Sequence, residues 1–521
     1  MLRPVRPPRV PLAHAVRFLD ALPPAPAKRG REAAAAPGRG QAPGAATSGE
    51  DAVLTGVTLA SGDVLPGDLF AALPGAKTHG ARHAAAALAR GAAAVLTDPA
   101  GSEMLPGGTP QIVVPDPRAR LGALAAWLYG YPARALKLIG VTGTNGKTTV
   151  AHLLEGALSA QFEKVALLGT IVSRIAGEEL VSVRTTLEAP ALQAAFAAMA
   201  ERGVAACVME VSSHALALHR VDGFRFDVAA FTNLTRDHLD FHASMEAYFE
   251  AKASLFHPDH AALGVVGLAD EWGRRLEREA SISLVTVSRD PADGPDWLIE
   301  PGAPGRSGTP FRLAGGGETV AAEVRLPGSY NVDNAALALA SAVAAGVEPQ
   351  RAAAGIAAAP PVPGRMQAVP GPPGAPFAVV DYAHSPGSVA AALAALRPHT
   401  AGHLIAVLGA GGDRDRGKRE AMGAAAALGA DVVYVTDDNP RGEDPAKIRA
   451  AVLKGAGPGA REVANRGDAI GQALGAAQRQ DTVVILGKGH ETSIDYGGRL
   501  LPHQDAAAAA AALEAKLEGS R

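Results

Sequence analysis

Gly143-Thr144-Asn145-Gly146-Lys147-Thr148-Thr149, entered from the apolar run at residues 135–141, is the stretch on which the reading of this chain turns. A strand that empties into a glycine-rich loop and resumes as a helix near Lys147 presents backbone amides to phosphate oxygens. Lys147 would reach the β- and γ-phosphates of a nucleotide, and Thr148 would offer its hydroxyl to magnesium. The spacing departs from the common phosphate-loop pattern, because Val141 stands at its first glycine position. A bare glycine-rich turn is the competing reading, and it leaves Lys-Thr-Thr at a helix start unexplained.

Outward from this loop, continuous apolar runs at 165–168, 204–209 and 228–231 have the character of parallel strands buried on both faces. Proline-rich breaks at 359–364 and 370–376 mark a boundary. Beyond them, strand-like runs at 378–380, 404–408, 432–435 and 483–486 each enter a polar or glycine-rich loop, and most lead into a helix. That alternation is the βαβ rhythm of a doubly wound sheet, whose ligands bind at the carboxyl ends of the strands. On the other side, residues 52–131 read as short strands and one alanine-rich helix, punctuated by Pro66-Gly67-Asp68 and Pro74-Gly75. The expected fold is therefore α/β in three domains. Residues 51–134 form a small N-terminal α/β domain, 135–361 a central P-loop-type ATPase-like parallel-sheet domain, and 362–521 a C-terminal Rossmann-like doubly wound domain. Residues 1–50, rich in Ala, Pro, Gly and Arg without a period after about residue 23, are expected to be a disordered leader.

Composition narrows the function. In 521 residues, 48% are hydrophobic and 19% charged, enough apolar material for full cores. The 49 basic and 52 acidic residues leave a net charge of -3, which argues against nucleic acid or an anionic membrane as partner. A single cysteine, Cys207, excludes an intrachain disulfide and fits a reducing compartment. Because no run of 18 apolar residues and no signal-peptide core is present, a cytoplasmic enzyme is expected, and a monomer.

Two further carboxylate and amine positions stand out. Glu210 closes an apolar strand just before Val211-Ser212-Ser213-His214, where hard oxygen chemistry suits a metal. Asn233-Leu234-Thr235-Arg236-Asp237-His238-Leu239-Asp240-Phe241-His242 likewise follows a strand. Lys252 occupies a slot in the apolar stripe Met245, Tyr248, Phe249, Leu255 and Phe256. Burial favours its neutral amine, which can add carbon dioxide to form a metal-binding carbamate. The alternative is a snorkelling lysine whose stem covers apolar surface.

Together, Gly143 to Thr149, Met209 to His214, Asn233 to His242 and Lys252 resemble the ATP-dependent Mur ligases, a family that includes folylpolyglutamate and cyanophycin synthetases. The resemblance covers nearly the whole chain after residue 52. It implies that ATP phosphorylates a carboxylate and that an incoming amine displaces the phosphate. It further implies that Gly143, Thr144, Asn145, Gly146, Lys147, Thr148 and Thr149 bind ATP, joined by Asn334, Arg365 and Asp381. Lys147, His238 and carbamylated Lys252 would be catalytic, with Thr148, Glu210, His238 and Lys252 holding Mg2+. Asp438-Asn439-Pro440-Arg441 resembles the signature of members that add meso-diaminopimelate, and Arg414, Gly487 and Glu491 match the other amino-acid contacts. Thr185, Thr186, Ser212 and Arg220 match contacts to a UDP-N-acetylmuramoyl-L-alanyl-D-glutamate substrate, with Leu59 and Ser61 toward its uridine. Ala60, Gly62, Leu187 and Leu218 depart from the family's usual residues. An L-lysine-adding ligase, a folylpolyglutamate-type ligase, a nucleotide switch that ligates nothing and a redox dinucleotide enzyme built on the Gly409 region are the alternatives.

Overall fold

The computed structural model describes residues 2–23, 46–48, 52–75, 77–182, 184–305, 308–413 and 415–518. Internal contacts separate two units: Met1–Lys147 with Leu158–Val287 and Ala340–Glu348, and Thr148–Ala157 with Ser288–Leu339 and Pro349–Arg521.

The first unit begins with a five-stranded sheet in the order Ala46–Ser48, Gln111–Val113, Ala94–Thr97, Asp68–Ala71 and Gly56–Thr58. The first pairing is antiparallel and the other three are parallel. Here the expected leader needs correction. Val10 pairs with Leu54, and Leu12–Ala21 is a helix that buries Leu12, Ala15 and Leu19. Apolar residues three and four apart give this segment a face, which packs in one core with Leu54, Leu121 and Leu124. Arg3 extends the attachment by donating to both oxygens of Asp68, at 2.6 and 2.7 Å. Most of the Ala/Pro/Gly-rich stretch lies outside the described residues, although Ala46–Ser48 is a strand.

Next comes a sheet in the order Glu178–Val181, Val172–Ile175, Val165–Leu168, Ala206–Glu210, Lys137–Thr142, Phe226–Phe231, Ala261–Gly267 and Ser283–Ser288. From Val165–Leu168 onward the pairings are parallel, and an antiparallel hairpin closes the edge. All five residues of Ala206–Glu210 are buried, as a continuous apolar run dictates, and Cys207 is one of them. Lys137–Thr142 lies between Ala206–Glu210 and Phe226–Phe231. Parallel register therefore delivers the phosphate loop, Glu210 and the Thr232 segment to one edge of the sheet.

The second unit carries an antiparallel trio, Trp297–Pro301, Thr309–Gly315 and Glu318–Val324. Its main sheet has six strands, in the order Gln367–Val369, Phe377–Asp381, Thr482–Leu486, Leu404–Leu408, Val432–Val435 and Arg461–Glu462. Only the first pairing is antiparallel. Alternate strand residues feed two cores: Ala406 and Leu408 pack with Leu393 and Met422, and Ile405 and Val407 with Ile470 and Leu513. That two-sided burial is the doubly wound arrangement. Among the described residues, no helix is long and apolar enough to cross a membrane.

Candidate active site

The loop after Lys137–Thr142 is held open by its neighbours. Gly143 has φ +142°, and a Cβ there would sit 1.8 Å from Thr232 Oγ1, so only glycine fits. Thr144 N donates to Asn233 O (2.8 Å) and Asn145 N to Asn233 Oδ1 (3.0 Å). Thr232 Oγ1 donates to Asn145 O (2.6 Å), and Thr144 Oγ1 bonds Tyr248 OH (3.1 Å). Gly146, at φ +86°, caps the helix Lys147–Ser159, whose first turn holds the buried Thr148 and Thr149. Lys147 Nζ donates to Gly143 O at 3.0 Å and Thr144 O at 2.9 Å, which folds the ammonium over the loop it would serve.

Lys252 is 1% exposed, and its Nζ donates to the same Gly143 carbonyl at 2.6 Å. Burial first, then the charge of Lys147, pulls its pKa well below the ordinary lysine value. The snorkelling alternative fails, since the nitrogen itself is inside. Glu210, fully buried, accepts Thr170 N (2.7 Å) on one oxygen and Thr170 Oγ1 (2.9 Å) on the other. A Cβ on Gly169 would meet Glu210 Oε1 at 2.7 Å, so only glycine lets the carboxylate pack this closely against the backbone.

His238 sits in left-handed backbone at φ 54° and belongs to a ring cluster. Its centroid is 5.0 Å from that of His214, which is 4.1 Å from Phe241 and 5.7 Å from His242. Burial lowers the pKa of His214 and of His238, and that of His242 falls to about 4. Below pH 6.5 and down to about 4, the unfolded chain binds a proton at His242 that the folded chain refuses. Stability should therefore fall as the pH drops through that window. We expect His242→Phe to flatten the slope, measured by denaturant unfolding across the window; an unchanged slope would refute it.

The residues matched to the muramoyl dipeptide are brought together. Thr170 Oγ1 and Thr185 Oγ1 lie within hydrogen-bond distance (3.1 Å), Ser212 N donates to Thr186 Oγ1 (3.0 Å), and Arg220 Nη1 donates to Thr186 O (3.3 Å). Arg220 also pairs with Glu188 at 3.0 Å, as Arg184 (3.4 Å) and Arg118 (3.8 Å) do, an excess of positive charge suited to carboxylates. Leu59 and Ser61 lie where Gly56–Thr58 ends and the short helix Ser61–Asp63 begins.

In the second unit, Asp381 ends its strand and accepts Met366 N (2.7 Å) and Ala383 N (2.9 Å), while burial raises its pKa against the pull of Arg365. The Arg365 guanidinium lies 4.7 Å from the Tyr382 ring centroid. Asn334 lies on the helix Ser329–Ala344 and donates to Asn331 Oδ1 at 3.1 Å.

Asp438, Asn439, Pro440 and Arg441 follow Val432–Val435, and Gly487 and Glu491 follow Thr482–Leu486. A Cβ on Gly487 would lie 2.5 Å from Asp438 Oδ2, so the two loops touch. Asn439 Nδ2 donates to Glu491 Oε2 at 2.7 Å. Arg441, left-handed at φ 51°, gives Nη1 to Gly412 O (2.8 Å). Among the described residues Arg441 pairs with no carboxylate, and Asp438 accepts no hydrogen bond and pairs with no cation. Arg414 lies outside the described residues.

Sequence reasoning missed Tyr248 as a brace of the phosphate loop, Thr170 as the donor to Glu210, and Lys488. The first two are ordinary polar positions with no local signal. Lys488, within Gly487-Lys488-Gly489, could have been found by asking why a lysine sits between two glycines.

Comparison with known proteins agrees along the chain. Residues 53–129 match the family model described as Mur ligase family, catalytic domain; 141–342 match the Mur ligase middle domain, and 364–489 the Mur ligase, glutamate ligase domain. The chain is 50% identical over 472 residues to the UDP-N-acetylmuramoyl-L-alanyl-D-glutamate--2,6-diaminopimelate ligase of Streptomyces coelicolor, covering 89% of this chain and 93% of that one. It is 44% identical to the UDP-N-acetylmuramyl-tripeptide synthetase of Leifsonia xyli, over 86% of this chain and 90% of that one. A solved structure of a UDP-N-acetylmuramoyl-L-alanyl-D-glutamate--2,6-diaminopimelate ligase superposes with a TM-score of 0.65 at 34% identity, covering 89% of this chain and 95% of that chain.

Proposed function

The chain belongs to the Mur ligase family, and from that premise we propose that it joins meso-diaminopimelate to UDP-N-acetylmuramoyl-L-alanyl-D-glutamate at the expense of ATP, in peptidoglycan precursor synthesis. The observation that carries the reading is the Asp438 to Arg441 turn: a carboxylate and a guanidinium, neither held in an ion pair among the described residues, match the zwitterionic far end of diaminopimelate. L-Lysine, the alternative, lacks that carboxylate. Leaving Arg441 unmatched costs on the order of 1 to 3 kcal/mol, roughly a ten- to hundredfold preference.

In this reading a glutamyl carboxylate oxygen attacks the γ-phosphorus of ATP, and ADP leaves. Lys147 and the loop amides face the charge that spreads over the phosphoryl oxygens. The amine of diaminopimelate then attacks the acyl phosphate, and the tetrahedral intermediate expels phosphate as the amide forms. Arg220 and Ser212 orient the dipeptide; Asp381 and Arg365 serve the nucleoside.

The donor set suits magnesium. Among the described residues no three His, Cys, Asp or Glu side chains form a closed metal group. The Thr148 hydroxyl, the Glu210 carboxylate and a Lys252 carbamate are hard oxygen donors of the kind magnesium takes beside phosphate and water oxygens. Thr148, Glu210, His238 and a Lys252 carbamate would hold it, supported by the Glu210 carboxylate buried at its strand end and by a Lys252 amine whose pKa burial pulls down. Bound there, it would supply Lewis-acid neutralisation of phosphoryl charge. We assign residues 51–134 to the UDP end, 135–361 to ATP and ligation, and 362–521 to the amino acid, in a monomeric, cytoplasmic enzyme.

Arg441→Ala tests the assignment. We expect KM for meso-diaminopimelate to rise about ten- to hundredfold, and the preference over L-lysine to collapse, with KM for ATP unchanged. Retained preference in a competition assay would remove Arg441 from the site.

A further inference from the structure

Lys488 is the second residue after the strand Thr482–Leu486, and its side chain is 0% exposed. Glycines on both sides make the burial possible. Gly487 has φ +114° and Gly489 φ +54°, so the chain reverses tightly enough to send the intervening side chain inward. Nζ donates to Glu491 Oε2 at 2.7 Å and to Asn439 Oδ1 at 3.1 Å. Asn439 Oδ1 also accepts Asp495 N (3.0 Å), and Asn439 Nδ2 donates to the same Glu491 Oε2 (2.7 Å). Two donors on its oxygen fix which way the Asn439 amide points. Glu491 Oε1 is the one side-chain oxygen of the pair left without a hydrogen bond among the described residues.

A buried ammonium persists only where its charge is matched, and the ion-pair partner here is Glu491. The consequence reaches the neighbouring loop. Asp438 and Glu491 contribute two negative charges and Lys488 and Arg441 two positive ones, and the buried Arg466 that both carboxylates also feel is matched by its own pair with Asp505, so these groups balance among the described residues. A neutral set suits a group that brings one ammonium and one carboxylate together. Without Lys488 the same set carries one net negative charge, which suits a lone ammonium.

We propose that Lys488 is a specificity-determining positioning residue: it holds Glu491 and Asn439 in place and cancels the Glu491 charge, so that the site takes a zwitterionic amino-acid head in preference to a lone ammonium. This rests on reading these loops as the amino-acid site.

Lys488→Met, assayed by ADP release with the muramoyl dipeptide and ATP saturating, gives the test. KM for meso-diaminopimelate should rise about ten- to hundredfold, KM for ATP and dipeptide should stay within about twofold, and the preference over L-lysine should fall at least about tenfold. Adding Glu491→Gln, which restores neutrality, should recover part of that preference. Equal losses for both amino acids, or an unchanged meso-diaminopimelate KM, overturn the proposal. Should Lys488→Met fail to fold, Glu491→Gln alone decides, since the site then gains positive charge and lysine use must fall relative to diaminopimelate; a relative gain overturns it. The unaltered enzyme keeps the two claims apart. If it prefers lysine, the proposed activity and the inference both fall, whereas a wild-type preference for diaminopimelate that survives Lys488→Met sinks only the inference.

Discussion

Lys147→Met lowers kcat about a thousandfold, while the KM values for dipeptide and amino acid move less than about threefold. Lys147 Nζ lies over the loop, bonded to the Gly143 and Thr144 carbonyls, at the start of a helix whose first amides face the same way. As the phosphoryl group moves, its negative charge spreads over oxygens that this cation and those amides can meet without reorganising. Methionine keeps the stem and most of the packing, so thermal unfolding should change little while ADP release collapses. A loss below about tenfold in a folded variant would take Lys147 out of the chemistry.

The second large effect is at Lys252. Lys252→Ala and Lys252→Arg should each lose activity about a thousandfold, because neither side chain can carry a carbamate. The arginine variant is the informative one: it retains a positive charge, so a role as a mere cation predicts partial activity. Burial and the adjacent Lys147 favour the neutral amine, the form that adds carbon dioxide. In the alanine variant, added formate or acetate should restore part of the rate by placing a carboxylate in the vacated space, and in the arginine variant it should not. Substantial activity in Lys252→Arg would end the carbamate reading.

Much of the fold was legible because its strands are buried on both faces. Val165–Leu168, Leu404–Leu408 and Val432–Val435 fall where the uninterrupted apolar runs place them. The helix at Lys147 and the inward slot of Lys252 were likewise written in spacing. The N-terminal helix Leu12–Ala21 was not, because its short apolar face lies between arginine- and proline-rich stretches that read as leader. Nor were the edge hairpin Val172–Ile175 with Glu178–Val181 or the antiparallel trio legible, since half-exposed strands carry mixed polarity.

By itself, then, the sequence determined the α/β class, the phosphate loop and the identity of the residues at the strand ends, since each follows from local pattern: apolar runs, glycine spacing and the helix start. Only the tertiary structure decided which of those residues meet. Parallel pairing of Ala206–Glu210, Lys137–Thr142 and Phe226–Phe231 puts Glu210 and the Thr232 segment beside the loop, and it is burial among distant elements that pulls the Lys252 pKa down and seals Lys488 against Glu491. Charge state and register depend on neighbours far along the chain, and no window of residues contains them.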